Sequence, residues 1–413
     1  MLNRRDLCVI LAGAAAGPQA VMAQAARLPF YASTGPNLTH YDLDVAAARL
    51  TPRGTVTLPA NVQYAWPDPA RRFLYVAASN NRPGAEGVHR LAVFRIGADG
   101  ALTPHGAAVT LRQRPVHFSL DHGGRYLLTA YNLPSAVSVH AIHADGTVGA
   151  EVIQQQALDT GIYAHQIRAT PTDATVVLIT RGNDPRPGIP EDPGALKIYR
   201  FRDGQLSNLQ SLAPRGNGIG FGPRHLDFTP DGRFAAVSLE RENSIGIWRL
   251  EPDGRFGAEP LFLKNALRDP DAKAKYPGQT AGPIHVHPGG RFIYQTNRGS
   301  GTIEQDGRRI SNGGENNVVV WAFDPATGEP SLIQHAPAHG FELRTFAVDP
   351  GGSLLVAASQ VPMLVREGGA VTSVSAGLSL YRIGADGKLT FTRKQDVDTS
   401  AGPLFWSGLL TMP

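Results

Sequence analysis

In the stretch GPRHLDFTPDGRFAAVSLE, the pair Arg224 and His225 is separated from a carboxylate, Glu240, by two β-rich runs and a PDGR turn. A guanidinium, an imidazole and a carboxylate can together move a proton and hold an oxygen-rich small molecule. The layout recurs. Aligned on the turn, the position of Arg224 is His165 in the preceding copy and Arg344 in a later one, while the position of Glu240 is Asn132, Arg181, Arg298 and Gln360 elsewhere. His117 and His285 fall beside the first position, the first copy offers Gln63 and Ser79, and the last offers Leu404. Such residues can also cap strand ends, but two arginines beside one carboxylate and one imidazole exceed what capping requires. His40, His89, His105, His140, His143, His335 and His339 lie off the register and are expected in loops or on the surface.

The elements that must position these residues are hairpins. Related segments begin at Trp66, His117, His165, His225, His285 and Thr345, each an apolar run, a Pro/Asp/Gly turn and a second β-rich run. A period of roughly 50–60 residues with hairpin signatures is that of propeller blades. Further strands such as NSIGIWRL, NVVVWAF and LSLYRI bring the count to four per copy, and GPLFWSGLL from Gly402 supplies a seventh inner strand just before the chain stops. The expected fold is an all-β, seven-bladed β-propeller of four-stranded antiparallel blades. Its ring is expected to close by pairing of the C-terminal strand with N-terminal strands, which removes open sheet edges. A turn that reverses the chain brings the start of the first strand and the end of the second to one face, so Arg224, His225 and Glu240 should meet at one mouth of the central channel. The stretches from Arg181, Gly299 and Val365, rich in Gly, Pro and charge, are expected as surface loops.

Composition narrows the classes. The formal charge of +4 is mild for 413 residues and the basic residues are scattered, which argues against a nucleic-acid partner. The start, with Arg4 and Arg5, an apolar run from Leu7 and Ala23-Gln24-Ala25, is expected to be an export signal over residues 1–25, leaving the propeller domain as 26–413. The paired arginines resemble a twin-arginine signal, although Leu7 and Cys8 depart from the usual Phe-Leu; an ordinary secretory signal is the alternative. Cleavage would remove Cys8, the only cysteine, and with it any disulfide or thiol nucleophile. No later apolar stretch has the roughly 20 residues of a spanning helix. A periplasmic monomer without stable membrane association is expected. No cofactor is implied, and no dense carboxylate loop points to a metal.

At GPRH with its later Glu, at IH followed by PGGRF and NR, at Arg344-Thr345-Phe346 with the later Gln360, and at the terminal Gly-Pro before an aromatic strand, the chain resembles the seven-bladed propeller lactonases. That family includes 6-phosphogluconolactonase and the fungal enzyme that forms a lactone from carboxy-cis,cis-muconate. The likeness runs from about Leu28 to the end. It departs at Ser238-Leu239-Glu240, where Asn-Glu is usual, and at Thr345, where Asn is common. The resemblance implies catalytic roles for His165, Arg224, Glu240 and Arg298, and the shared register makes His117, Asn132, Arg181, His225, His285, Arg344 and Gln360 the expected substrate-binding residues. A lactone requires an aimed water, a base and donors for the oxyanion. Glu240 or His165 is the base, Arg224 and Arg298 the oxyanion or anion holders, and no Gly-x-Ser-x-Gly elbow supports a serine nucleophile. The implied function is hydrolysis of a sugar or aldonic lactone. A muconate-type cycloisomerase and a non-catalytic binding propeller are the alternatives.

Overall fold

A computed structural model describes residues 27–82 and 86–410, so the signal-like segment lies outside the described residues. Seven sheets are arranged about their inner strands, Val62–Pro67, Pro115–Leu120, Ala164–Ala169, Pro223–Phe228, Gln279–Val286, Phe341–Val348 and Leu404–Leu409. These inner strands pack in succession, and Leu404–Leu409 packs against both Phe341–Val348 and Val62–Pro67. Within its own sheet, Leu404–Leu409 pairs antiparallel with Arg27–Thr34, the first described strand.

Local chemistry explains why the hairpins form where they do. In the Pro223–Phe228 hairpin the Thr229 hydroxyl donates to Asp231 at 2.6 Å, and Gly232 takes φ +70°, a conformation open to glycine at little cost. Asp121 and Asp349 mark the corresponding turns, each accepting backbone N–H groups of the strand that follows. The second strands, such as Phe234–Leu239 and Thr175–Thr180, are buried along their whole length because neighbouring sheets cover both faces. Core clusters therefore sit between blades. Val177, Leu196, Leu226 and Trp248 join two adjacent sheets, and Phe30, Leu43 and Leu404 meet Leu354 and Leu378 across the seam between the last sheet and the first.

Two expectations change. The insertions from Gly299 and Val365 are hairpins rather than loops: Thr302–Gln305 with Arg308–Ser311, and Met363–Glu367 with Ala370–Val374, joined by a parallel pairing of Ile310 with Leu364 into an eighth, outlying sheet. Turn residues at Asp306-Gly307 and Gly368-Gly369 permit this; Ile310 and Val365 are buried, but neither belongs to the clusters between blades. His40, His89 and His140 are buried in strands rather than placed on the surface, because their blade sheets are covered on both faces.

Candidate active site

Each inner strand carries a β-bulge near its start. Pro223 pairs with Leu239 and His225 with Ser238, which leaves Arg224 out of the ladder. The same irregularity leaves out His165, Arg344, Gln63, Val116 and Phe405 in their strands, and two residues, Gly282 and Pro283, in Gln279–Val286. A bulge re-aims its extra side chain. Five of these residues, Val116, His165, Arg224, Arg344 and Phe405, line a mouth of about 390 Å³ together with Asn132, Arg181 and Glu240.

Glu240 is the hub. Its Oε1 accepts from Arg298 Nη2 and lies 3.4 Å from Arg224 Nε, and its Oε2 accepts from Arg181 Nε. Burial by itself would raise this carboxyl, but Arg298, Arg224 and Arg181 outweigh it and hold it down at about 2. Arg181 also donates to Asp184, Arg298 donates to the Ala281 carbonyl at 3.1 Å, and Arg298 Nη1 stands 3.7 Å from Glu342. Burial and the like charge of Arg298 push Arg224 well below the ordinary guanidinium range. Arg344, lowered to about 10 by burial and by Arg298 and Arg114, lies over the Phe405 ring at 3.8 Å.

His165 differs from its neighbours. It is buried, its Nδ1 has no hydrogen-bond partner among the described residues, and its ring lies 5.2 Å from that of His225. Burial, then Arg224, Arg344 and Arg181, push its pKa well below the usual imidazole value, so it is neutral near pH 7. A neutral imidazole and a carboxylate held at about 2 by three guanidiniums divide the two base candidates: the carboxylate is too weakly basic to take a proton from water readily.

The predicted residues do not all meet. His165, Arg224, Glu240, Asn132, Arg181 and Arg344 line one mouth; Arg298 lies behind Glu240 and not on the lining. His225 and His285 instead line a cavity at the other end of the channel, because residues past the bulge follow the ordinary alternation of a strand. His225 nevertheless touches the site from below, 3.4 Å from Arg224 Nη1. His117 is fully buried behind Tyr64, its ring centroid 4.2 Å away, and its Nδ1 accepts the Ile167 N–H. Gln360 lines neither cavity, and the closing blade contributes Phe405 rather than Leu404, which is core. Arg114, Tyr163, Asn183, Asp184 and Arg186 complete the lining without having been singled out. Arg114 donates to Gln63 at 2.8 Å. Asp184 and Arg186 lie in the insertion that follows Arg181, where only its position next to a register arginine hinted at a role.

Residues 29–366 match the lactonase, 7-bladed beta-propeller family, so the chain belongs to that family. Among its relatives, the chain is 28% identical to the 6-phosphogluconolactonase of Pectobacterium carotovorum over 316 residues, 76% of this chain and 82% of that protein. It is 28% identical to the 6-phosphogluconolactonase of Yersinia pestis over 375 residues, covering 88% and 92%. In structure it is similar to the periplasmic gluconolactonase of Pseudomonas aeruginosa, with a TM-score of 0.71, 22% identity and coverage of 94% of this chain and 100% of the other. A Lactobacillus plantarum protein gives a TM-score of 0.69 at 22% identity, covering 94% and 100%. These structural likenesses speak to the fold.

Proposed function

We propose that the protein is a lactonase that hydrolyses a sugar or aldonic lactone at the arginine-lined mouth, a carboxylic ester hydrolase without a covalent intermediate. One observation carries the assignment of roles: His165 lines the mouth as a neutral imidazole, beside guanidiniums whose carboxylate partner, Glu240, they hold at about 2. In the reaction a water attacks the carbonyl carbon while His165 takes its proton. Arg224 and Arg344 stabilise the oxyanion, the ring C–O bond breaks, and the proton passes to the departing alkoxide to leave a hydroxy acid. Glu240, held ionised, fixes the arginines in place. The arginine excess also suits a carboxylate or phosphate on the substrate, since a guanidinium fork binds either in bidentate fashion. An anion bound there offsets the positive field on His165 and raises its basicity toward neutrality, so binding prepares the base.

Membership of a lactonase family and relatives named 6-phosphogluconolactonase support this reading. Export to the periplasm, read from residues 1–25, favours an unphosphorylated lactone, and the pairing of Leu404–Leu409 with Arg27–Thr34 is read as the clasp of the ring. Among the described residues no helix is long and apolar enough to cross a membrane. The test is a panel of gluconolactones with and without a 6-phosphate. His165→Ala is expected to lose about 10²- to 10⁴-fold in turnover on the best of them. A folded His165→Ala, Glu240→Gln double variant that turns over at the parent rate would remove the chemistry from this mouth.

A further inference from the structure

The opposite end of the channel holds a larger cavity, about 510 Å³, that the lactonase reading does not use. Past the bulges, the inner strands present a second register there: Trp66, Arg168, Asp227 and His285 stand at equivalent positions in four blades. Trp406 and Tyr64 line the cavity one step closer to the channel centre.

The polar groups are balanced in charge and fixed in place. Asp227 accepts the N–H groups of Phe228 and Val286, each at 3.0 Å, and pairs with Arg168 Nη1 at 3.4 Å and His285 Nδ1 at 3.5 Å. Although burial opposes it, these partners keep Asp227 ionised. Arg168 is held over the Trp66 ring at 5.0 Å, and His285 edge-on to Phe346 at 4.7 Å. What remains available points to a ligand: the half-exposed His285 keeps its second ring nitrogen, and the Tyr64 hydroxyl has no hydrogen-bond partner among the described residues. Apolar ring surface of Trp66 and Tyr64 with donors and acceptors beside it suits a ring that has an apolar face and a hydroxylated edge. A carboxylate ligand would find the guanidinium already neutralised by Asp227. A purely apolar ring would leave the His285 and Tyr64 groups unsatisfied, at the cost of desolvation.

We propose that this mouth is a second binding site, for a neutral hydroxylated ring such as a monosaccharide, packed against Trp66 and hydrogen-bonded by Arg168, His285 and Tyr64. It is separated from the arginine-lined mouth by little more than the Arg224–His225 step, since Arg224 lines one cavity and His225 the other.

Of the four tryptophans, Trp66 and the largely buried Trp406 line this cavity, while Trp248 and Trp321 are fully buried in blade interfaces, so tryptophan fluorescence reports on it. Methyl glucoside, gluconate and benzoate are titrated into the full-length protein and into His165→Ala, with calorimetry as the second readout. The expected result is saturable binding of methyl glucoside in both, weakened at least about tenfold by Trp66→Ala and by His285→Phe. Because Trp66→Ala removes packing, His285→Phe, which keeps a ring of similar size, preserves the test if the first variant does not fold. No saturable signal from methyl glucoside, equal binding by parent and folded His285→Phe, or a preference for benzoate or gluconate over the glucoside that His285→Phe abolishes would each overturn the proposal. Retained binding in His165→Ala separates this site from the hydrolytic one, whose failure would not touch it.

Discussion

The two mouths of the channel are built from the same seven inner strands, yet they are chemically opposed. One gathers Arg114, Arg181, Arg186, Arg224 and Arg344 with two carboxylates, Asp184 and Glu240; the other pairs Arg168 with Asp227 and surrounds the pair with Trp66, Trp406 and Tyr64. The first is suited to developing negative charge, the second to a neutral ring. The difference arises in a few residues along each strand. At the start a bulge aims one side chain into the upper mouth, and beyond it ordinary alternation sends the following ones below. In Leu404–Leu409 this puts Phe405 in the upper mouth and Trp406 in the lower.

Removing that shared strand is expected to have the largest effect. Deleting everything from Gly402 exposes the edge of Arg27–Thr34 and strips both mouths of an aromatic ring, so the truncated protein should aggregate or melt far below the parent in a thermal scan. Unchanged melting would mean that the strand is not the clasp.

Next comes Glu240→Gln. It leaves Arg181, Arg224 and Arg298 buried together without their carboxylate, and a destabilisation of about 3 kcal/mol is expected in denaturant unfolding. The same interaction predicts a pH dependence. The folded carboxyl is held at about 2 against an ordinary 4.5, so its stabilisation is complete above about pH 4.5 and is lost as the pH falls toward 2. Parent unfolding followed across that window should show the decline, and Glu240→Gln should show less of it. His165 and His225 act in the same sense at higher pH: both are depressed, so protonation of the unfolded chain below about pH 6.5 withdraws stability.

Arg224→Lys and Arg344→Lys keep the charge but lose the planar fork, and about a tenfold fall in kcat/KM is expected for each. Raised ionic strength should likewise weaken an anionic substrate at the upper mouth while leaving methyl glucoside binding below nearly unchanged. The smallest effect is expected for His335→Ala. His335 bonds the Ala266 carbonyl at 3.0 Å, away from either register, and turnover should stay within about twofold of the parent in the same assay.

The repeat, the hairpins and the membership of His165, Arg224 and Glu240 in one constellation were legible in the chain, because turn residues and apolar alternation are local and recur with the blade. Arg181 and Asn132 followed from the same register. The bulges were not legible: skipping one ladder partner leaves no mark in composition, and it decides that Arg224 faces one mouth while His225 faces the other. Nor could spacing tell that Arg298 would stand behind Glu240, or that Glu240 would be clamped by three guanidiniums and held at about 2. Those outcomes depend on which side chains from separate blades share a few ångströms of buried space. Residue order alone settles the repeating strands and the kinds of groups at their ends. Their partners, their charge states and the face each one serves are set only by the packing of the blades, because burial and neighbouring charge act through space and not along the chain.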